Sequence, residues 1–144
     1  MASTVLTILK RKGHHVITAT AEQSVASIAD LLTAHRIGAV PVVDDRDNVI
    51  GMISERDLVR GVSQHGAAAV QLPVSKLMTA IIATCTPTDT IESMMEVMTE
   101  RRIRHLPVIW DNRLHGMVSI GDLVKQRLED AQREVDDLRS YIAS

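Results

Sequence analysis

Apolar residues along this chain switch between a period near 3.6 and a period of two, and each switch marks an element. Near the start, Val5, Ile8 and Leu9 share one face of a helix predicted over Thr4–Lys12, with a basic last turn and Gly13 as a stop. Val16–Thr18 predicts a short strand. A helix with Val25, Ile28, Leu31 and Leu32 on its apolar face follows, with Ser24 placed as its N-cap. Two strands then flank a polar turn, Val40-Pro41-Val42-Val43 before it and Val49-Ile50-Gly51-Met52-Ile53 after it. A proline inside a strand demands an edge or a strand start, so one sheet edge is expected to be locally unpaired beside an open cleft. A closing helix begins at Ser54, with Asp57 in its first turn, where negative charge is favourable.

The same pattern then recurs. Arg36-Ile37-Gly38-Ala39-Val40-Pro41-Val42-Val43 returns as Arg102-Ile103-Arg104-His105-Leu106-Pro107-Val108-Ile109, an offset of 66 residues. Gly51 through Arg60 returns as Gly116 through Lys125, an offset of 65. The lost residue lies between Asp45-Arg46-Asp47-Asn48 and Asp111-Asn112-Arg113, a polar turn, where length changes are tolerated. The second copy opens with a strand expected at Ile82–Thr84. Its first helix is N-capped by Thr90 and carries Ile91, Met94, Met95, Val97 and Met98, methionines that read as flexible core filling. Its closing helix begins at Ser119 and runs on. There Val124, Leu128, Ala131, Val135, Leu138 and Ile142 form a heptad-like seam that either packs on the chain's own N-terminal helix or domain, or meets a second copy or a partner.

Composition narrows the class. A chain of 144 residues with 45% hydrophobic and 24% charged residues suits one compact globular domain. A net charge of −2 does not recruit nucleic acid or an anionic membrane. With Trp110, Tyr141 and no Phe, stacking platforms for single strands are lacking and the core must be aliphatic. The first residues do not read as a signal peptide, and no apolar run approaches the ~20 residues of a membrane span. The lone Cys85 sits in an apolar run and reads as a small core residue, which fits a reducing cytoplasm.

The doubled pattern h-P-V-h, turn, G-h-h-S-x-x-D-L resembles the CBS-domain family, and two copies in tandem resemble a Bateman module of the stand-alone bacterial type. The resemblance implies an α/β (α+β) fold of two β-α-β-β-α repeats in a pseudo-twofold module with flanking helices. Residues 1–13 are then an N-terminal helix, 14–66 the first repeat, 67–79 a linker, 80–128 the second repeat and 129–144 an extension of the last helix. It also implies two clefts, one combining Ile37 and Gly38 with Ser119 and Asp122, the other Ile103 and Arg104 with Ser54 and Asp57. The implied ligands contain adenosine (AMP, ADP or ATP, with NAD(H) or S-adenosylmethionine as alternatives), the implied assembly is a homodimer, and the module would signal to a regulated protein.

The residue types suit such a ligand. A carboxylate accepts hydrogen bonds from both hydroxyls of a ribose cis-diol, a role assigned to Asp57 and Asp122. Ser54 and Ser119 can donate to phosphate or cap their helices. Arg102, Arg104 and His105 would compensate phosphate charge, whereas the first copy offers only Arg36, Arg56 and Arg60 and has Gly38 and Ala39 opposite Arg104 and His105, so unequal sites are expected. The base would lie against Ile37, Gly38, Val40, Pro41, Ile53, Ile103, Leu106, Pro107 and Val118. No catalytic residue, catalytic cofactor or metal is expected: G-x-x-x-x-G-K and G-x-G-x-x-G are absent, and the adjacent His14 and His15 of a strand point to opposite faces. Two other readings stand beside the sensor: an interaction module without a ligand, and an enzyme of unassigned type.

Overall fold

The computed structural model describes residues 2–81 and 83–143. In chain order the elements are α1 (Val5–Lys12), β1 (Ala19–Thr20), α2 (Val25–His35), β2 (Ala39–Val43), β3 (Val49–Ser54), α3 (Glu55–His65), α4 (Ile91–Arg101), β4 (His105–Trp110), β5 (Arg113–Ser119) and α5 (Ile120–Ala143). Two short 3-10 turns, Gly66–Gln71 and Val74–Lys76, separate α3 from α4. The chain forms two compact units. One is Val16–Ile82 with Asn112–Leu114; the other is Met1–His15, Ala83–Asp111 and His115–Ser144.

In the first unit the strands run in the order β1-β2-β3, with β1 parallel to β2 and β2 antiparallel to β3. The opening strand falls on Ala19–Thr20 and not on Val16–Thr18, because pairing exists only where Ala19 meets Val42 and Thr20 meets Val43. The expectation of an edge proline is likewise corrected: Pro41 lies in the middle strand. Met52, its register partner, turns both backbone groups away from β2 to Thr79. In an antiparallel ladder that makes Pro41 and Met52 a non-hydrogen-bonded pair. The N–H that proline lacks therefore faces the β1 side, where pairing begins one residue later, and no ladder bond is lost.

Val25, Ile28, Leu32, Val40, Val42 and Ile53 form the core of this unit, and Val74 and Leu77 complete it. Residues 67–79 are thus packed on the repeat. Leu72 and Val74 exchange main-chain bonds with Val25 and Gln23, and Thr79 bonds Met52 in both directions at 2.9 and 2.8 Å. Gly51 makes room for this segment: a Cβ there would lie 2.9 Å from Met78 Sδ and 3.1 Å from the Thr79 carbonyl.

The second unit is built on the same plan with different parts. β4 pairs with β5, and Cys85 takes the place of an opening strand by bridging Val108 in parallel. Of the strand expected at Ile82–Thr84, Ile82 lies outside the described residues and Ala83 and Thr84 lie in no strand. The hairpin turn is tight, Asp111 and Asn112 both having positive φ (52° and 59°), the signature of a two-residue turn that matches strand twist. The first copy needs a longer turn, closed by Asp44 accepting from the Arg46 and Asn48 amides. The one-residue difference read from the sequence is housed here.

Helix α1 belongs to this second unit. Its Val5, Ile8 and Leu9 are fully buried among Cys85, Ile91, Met94, Met98, Leu106, Val108, Val118 and Leu123. Leu9 fills the notch left by Gly116, as Met78 and Thr79 fill that of Gly51. The two repeats thus use their duplicated glycine in one way, to admit the chain segment that seals the sheet.

α5 packs through Leu123, Gln126 and Asp130, not through the expected seam. Leu128, Val135, Leu138 and Ile142 are exposed, so packing of that seam on the chain's own N-terminal helix is ruled out within this unit. The packed face is partly polar: Asp130 Oδ1 accepts from the Ser3 hydroxyl at 2.8 Å and the Gln126 amide at 3.0 Å. Among the described residues, no helix is long and apolar enough to cross a membrane.

Candidate functional site

Each repeat ends with the same corner, where a strand delivers Ser-x-x-Asp into the head of a helix. In the first, the Ser54 hydroxyl accepts from the Asp57 amide at 3.3 Å, and Asp57 Oδ2 accepts from the Ser54 amide at 2.8 Å. This reciprocal capping satisfies N–H groups that a helix start leaves without partners. In the second, Ser119 and Asp122 repeat the exchange at 3.1 and 2.9 Å. The corner is tied to the start of the proline strand: the Glu55 amide donates to the Gly38 carbonyl and the Ile120 amide to the Arg104 carbonyl, both at 2.9 Å. Within each repeat, then, the Ser-x-x-Asp corner is brought to Gly38 or to Arg104.

The two carboxylates differ in what else reaches them. Asp57 is only 4% exposed. Its Oδ2 also accepts from the Ser54 hydroxyl at 3.0 Å, and its Oδ1 accepts from Arg60 Nη2 at 2.7 Å and the Thr79 hydroxyl at 2.8 Å. A carboxylate offers about four acceptor positions, and Asp57 uses four. The Asp122 side chain is 23% exposed. Its Oδ2 accepts from the Ser119 amide and from Lys12 Nζ at 2.7 Å. Burial opposes ionisation of Asp122, but the Lys12 ammonium and the Ser119 amide outweigh it and hold the carboxyl below its ordinary value.

Lys12 and Thr79 were not among the residues singled out from sequence, and Arg60 was read only as a cation for phosphate. Arg60 stands one helical turn from Asp57 and was readable from spacing. Lys12 and Thr79 lie 110 and 22 residues from their carboxylates, and no local pattern marks them.

The other candidates are placed as follows. Arg102 ends α4 in a left-handed conformation (φ 55°), matched by Arg36 at the end of α2 (φ 54°). Arg102 and Arg104 are exposed and His105 is half-buried. Of the proposed base-contact residues, Ile37, Gly38 and Ile103 are half-buried, and Pro41 and Pro107 are buried. Val40, Ile53, Leu106 and Val118 have no exposed surface and fill the cores of their own repeats. Cys85 is buried in the second core, where burial first and then the Asp89 charge push its thiol up to about 12. His14 meets His115 edge-on, ring centres 6.3 Å apart. Among the described residues no three His, Cys, Asp or Glu side chains gather as metal ligands do.

Comparison with known proteins fits this doubled architecture. The model of the CBS domain matches residues 5–64 and 74–129. The CBS domain-containing protein CBSX3, mitochondrial, of Arabidopsis thaliana is 32% identical over 98% of this chain and 72% of its own length. The CBS domain-containing protein YhcV of Bacillus subtilis is 30% identical over 80% of this chain and 81% of its own. The crystal structure of a CBS-domain protein of Agrobacterium tumefaciens superposes with a TM-score of 0.84 at 45% identity, covering 88% of this chain and 95% of that one. The CBS domain pair of the protein MJ0100, solved with 5′-methylthioadenosine and S-adenosyl-L-methionine, shares the fold at a TM-score of 0.79 and 24% identity, covering 92% and 99%.

Proposed function

Because the chain belongs to the CBS-domain family, with two repeats in tandem like those of its bacterial neighbours, we propose that it is a regulatory module that binds an adenine nucleotide and passes its bound state to a partner protein. The observation that carries this reading is the Asp122 corner. There an ionised, partly open carboxylate stands at a helix head beside a cation, with exposed arginines at the start of the neighbouring strand. In this reading, which groups each corner with the proline strand of its own repeat where the resemblance implied the other repeat's, Asp122 accepts the ribose hydroxyls, Ser119, Arg102, Arg104 and His105 meet phosphate, and Ile103 with the main chain near Pro107 meets the base. The first repeat offers Asp57, Ser54, Ile37 and Gly38 in the same roles. Asp57 already has four donors, so a ligand there must displace Arg60 or Thr79. That saturation favours an interaction role for the first repeat. AMP, ADP and ATP are the first choices; the adenosine ligands of the MJ0100 pair keep S-adenosylmethionine in view, and NAD(H) carries the same adenosine half.

The module works without a catalytic residue or a catalytic cofactor, resides in the cytoplasm and forms a homodimer through the exposed α5 seam. A ligand shifts it between states only through unequal affinity for them. Calorimetry of the intact protein with AMP, ADP and ATP tests the reading, together with native mass spectrometry of the protein as isolated. Binding that Asp122→Ala abolishes is expected. No binding of any adenosine compound at millimolar concentration overturns the sensor and leaves the interaction module.

A further inference from the structure

We propose that Lys12 makes the Asp122 corner selective for anionic adenosine ligands and against neutral or cationic ones; the inference rests on the nucleotide-binding reading above. Its basis is an ion pair that the ligand has to rearrange. Lys12 Nζ donates to Asp122 Oδ2 at 2.7 Å and to the Met117 carbonyl at 2.9 Å. The backbone that delivers it is fixed. Val5, Ile8 and Leu9 are fully buried, Leu9 sits over Gly116, and the helix ends at Gly13, immediately after Lys12. The Lys12 side chain itself is 45% exposed, so its ammonium can turn to a new partner.

Asp122 Oδ2 has two donors, the Lys12 ammonium and the Ser119 amide. The amide belongs to the helix cap and stays. A ribose diol that engages both carboxylate oxygens therefore takes the position of Lys12. The displaced ammonium then needs a counter-charge. A ligand that carries phosphate supplies it within the same molecule. A neutral adenosine leaves the ammonium without one, and a sulfonium ligand adds a second positive charge. Discrimination of this kind comes from what the wrong ligand leaves unpaired. The first repeat also sets a cation on its carboxylate, Arg60 at 2.7 Å from Asp57 Oδ1, but there the Thr79 hydroxyl and the two Ser54 donors fill the remaining acceptor positions.

The experiment is calorimetry of the full chain with AMP, adenosine and S-adenosylmethionine, using wild type, Lys12→Met and Lys12→Arg. One charge-assisted contact sets AMP tighter than adenosine by about tenfold or more in the wild type. In Lys12→Met the ratio falls by about that factor, because adenosine gains while AMP loses, and the share owed to Arg102, Arg104 and His105 remains; Lys12→Arg keeps the wild-type ratio. The difference in ratio between wild type and Lys12→Met also shrinks as salt rises from about 0.05 to 0.5 M. Adenosine binding as tightly as AMP, a difference in ratio indifferent to salt, or a ratio unchanged in Lys12→Met overturns the inference and leaves nucleotide binding intact. Wild type that binds none of the three ligands overturns the nucleotide reading itself, and this inference with it.

Discussion

The Thr79 hydroxyl donates to Asp57 Oδ1 at 2.8 Å and fills the last acceptor position of a buried carboxylate. In the second repeat Asp122 Oδ2 accepts from Lys12 and the Ser119 amide, where Asp57 has four donors with Arg60 among them. One duplicated sequence motif thus serves two physical ends: a saturated structural joint in the first repeat and an adjustable one in the second.

The difference is measurable as stability. Asp57→Ala removes a helix cap and leaves Arg60 and Thr79 without their acceptor, at a cost of about 2–4 kcal/mol. Asp122→Ala, at a more open site, costs about 1–2 kcal/mol. Urea unfolding of both variants checks the order; equal losses would contradict the assignment of Asp57 as the structural member.

Gly51 and Gly116 meet different neighbours. A Cβ at Gly51 faces the Thr79 carbonyl, which main-chain bonds to Met52 hold in place, whereas one at Gly116 faces the movable end of Leu9. Gly51→Ala is expected to destabilise by about 1–3 kcal/mol, as overpacking does, and Gly116→Ala by less. Thermal melts of the two variants side by side are the measurement.

Cys85 predicts an alkaline response. Its thiol titrates near 12 in the folded chain against an ordinary 9.0, so the folded state favours the neutral form. The contribution is whole below the unfolded value and is lost as pH climbs from 9.0 toward 12. The stability gap between wild type and Cys85→Ala should therefore be constant up to pH ~9 and narrow above it. Ellman's reagent at pH ~8 should label the native thiol only at the rate of unfolding.

The seam on α5 is the surface on which the proposed homodimer depends. Leu138 is 62% and Ile142 81% exposed on a helix that carries apolar residues at heptad-like spacing. Leu138→Glu should convert a dimer to a monomer in analytical ultracentrifugation while leaving the melting temperature of the monomer within a few degrees. A wild type that sediments as a monomer at all concentrations would refute the homodimer.

What the sequence determined alone was everything written in local spacing. The two repeats, the helix expected over Thr4–Lys12 and found at Val5–Lys12, the caps at Ser24 and Thr90, and the methionine-rich core of α4 all follow from periodicity and capping chemistry within a few residues. Tertiary structure decided what no local pattern encodes. It set the opening strand at Ala19 instead of Val16, since a strand exists only where a partner pairs with it. Pro41 entered the middle strand because its missing N–H faces a side where pairing starts one residue later. Lys12 and Thr79 were brought to Asp122 and Asp57 from distant parts of the chain. Contacts of that kind follow from how packed segments settle against a sheet, a property of the whole core and not of any stretch of sequence.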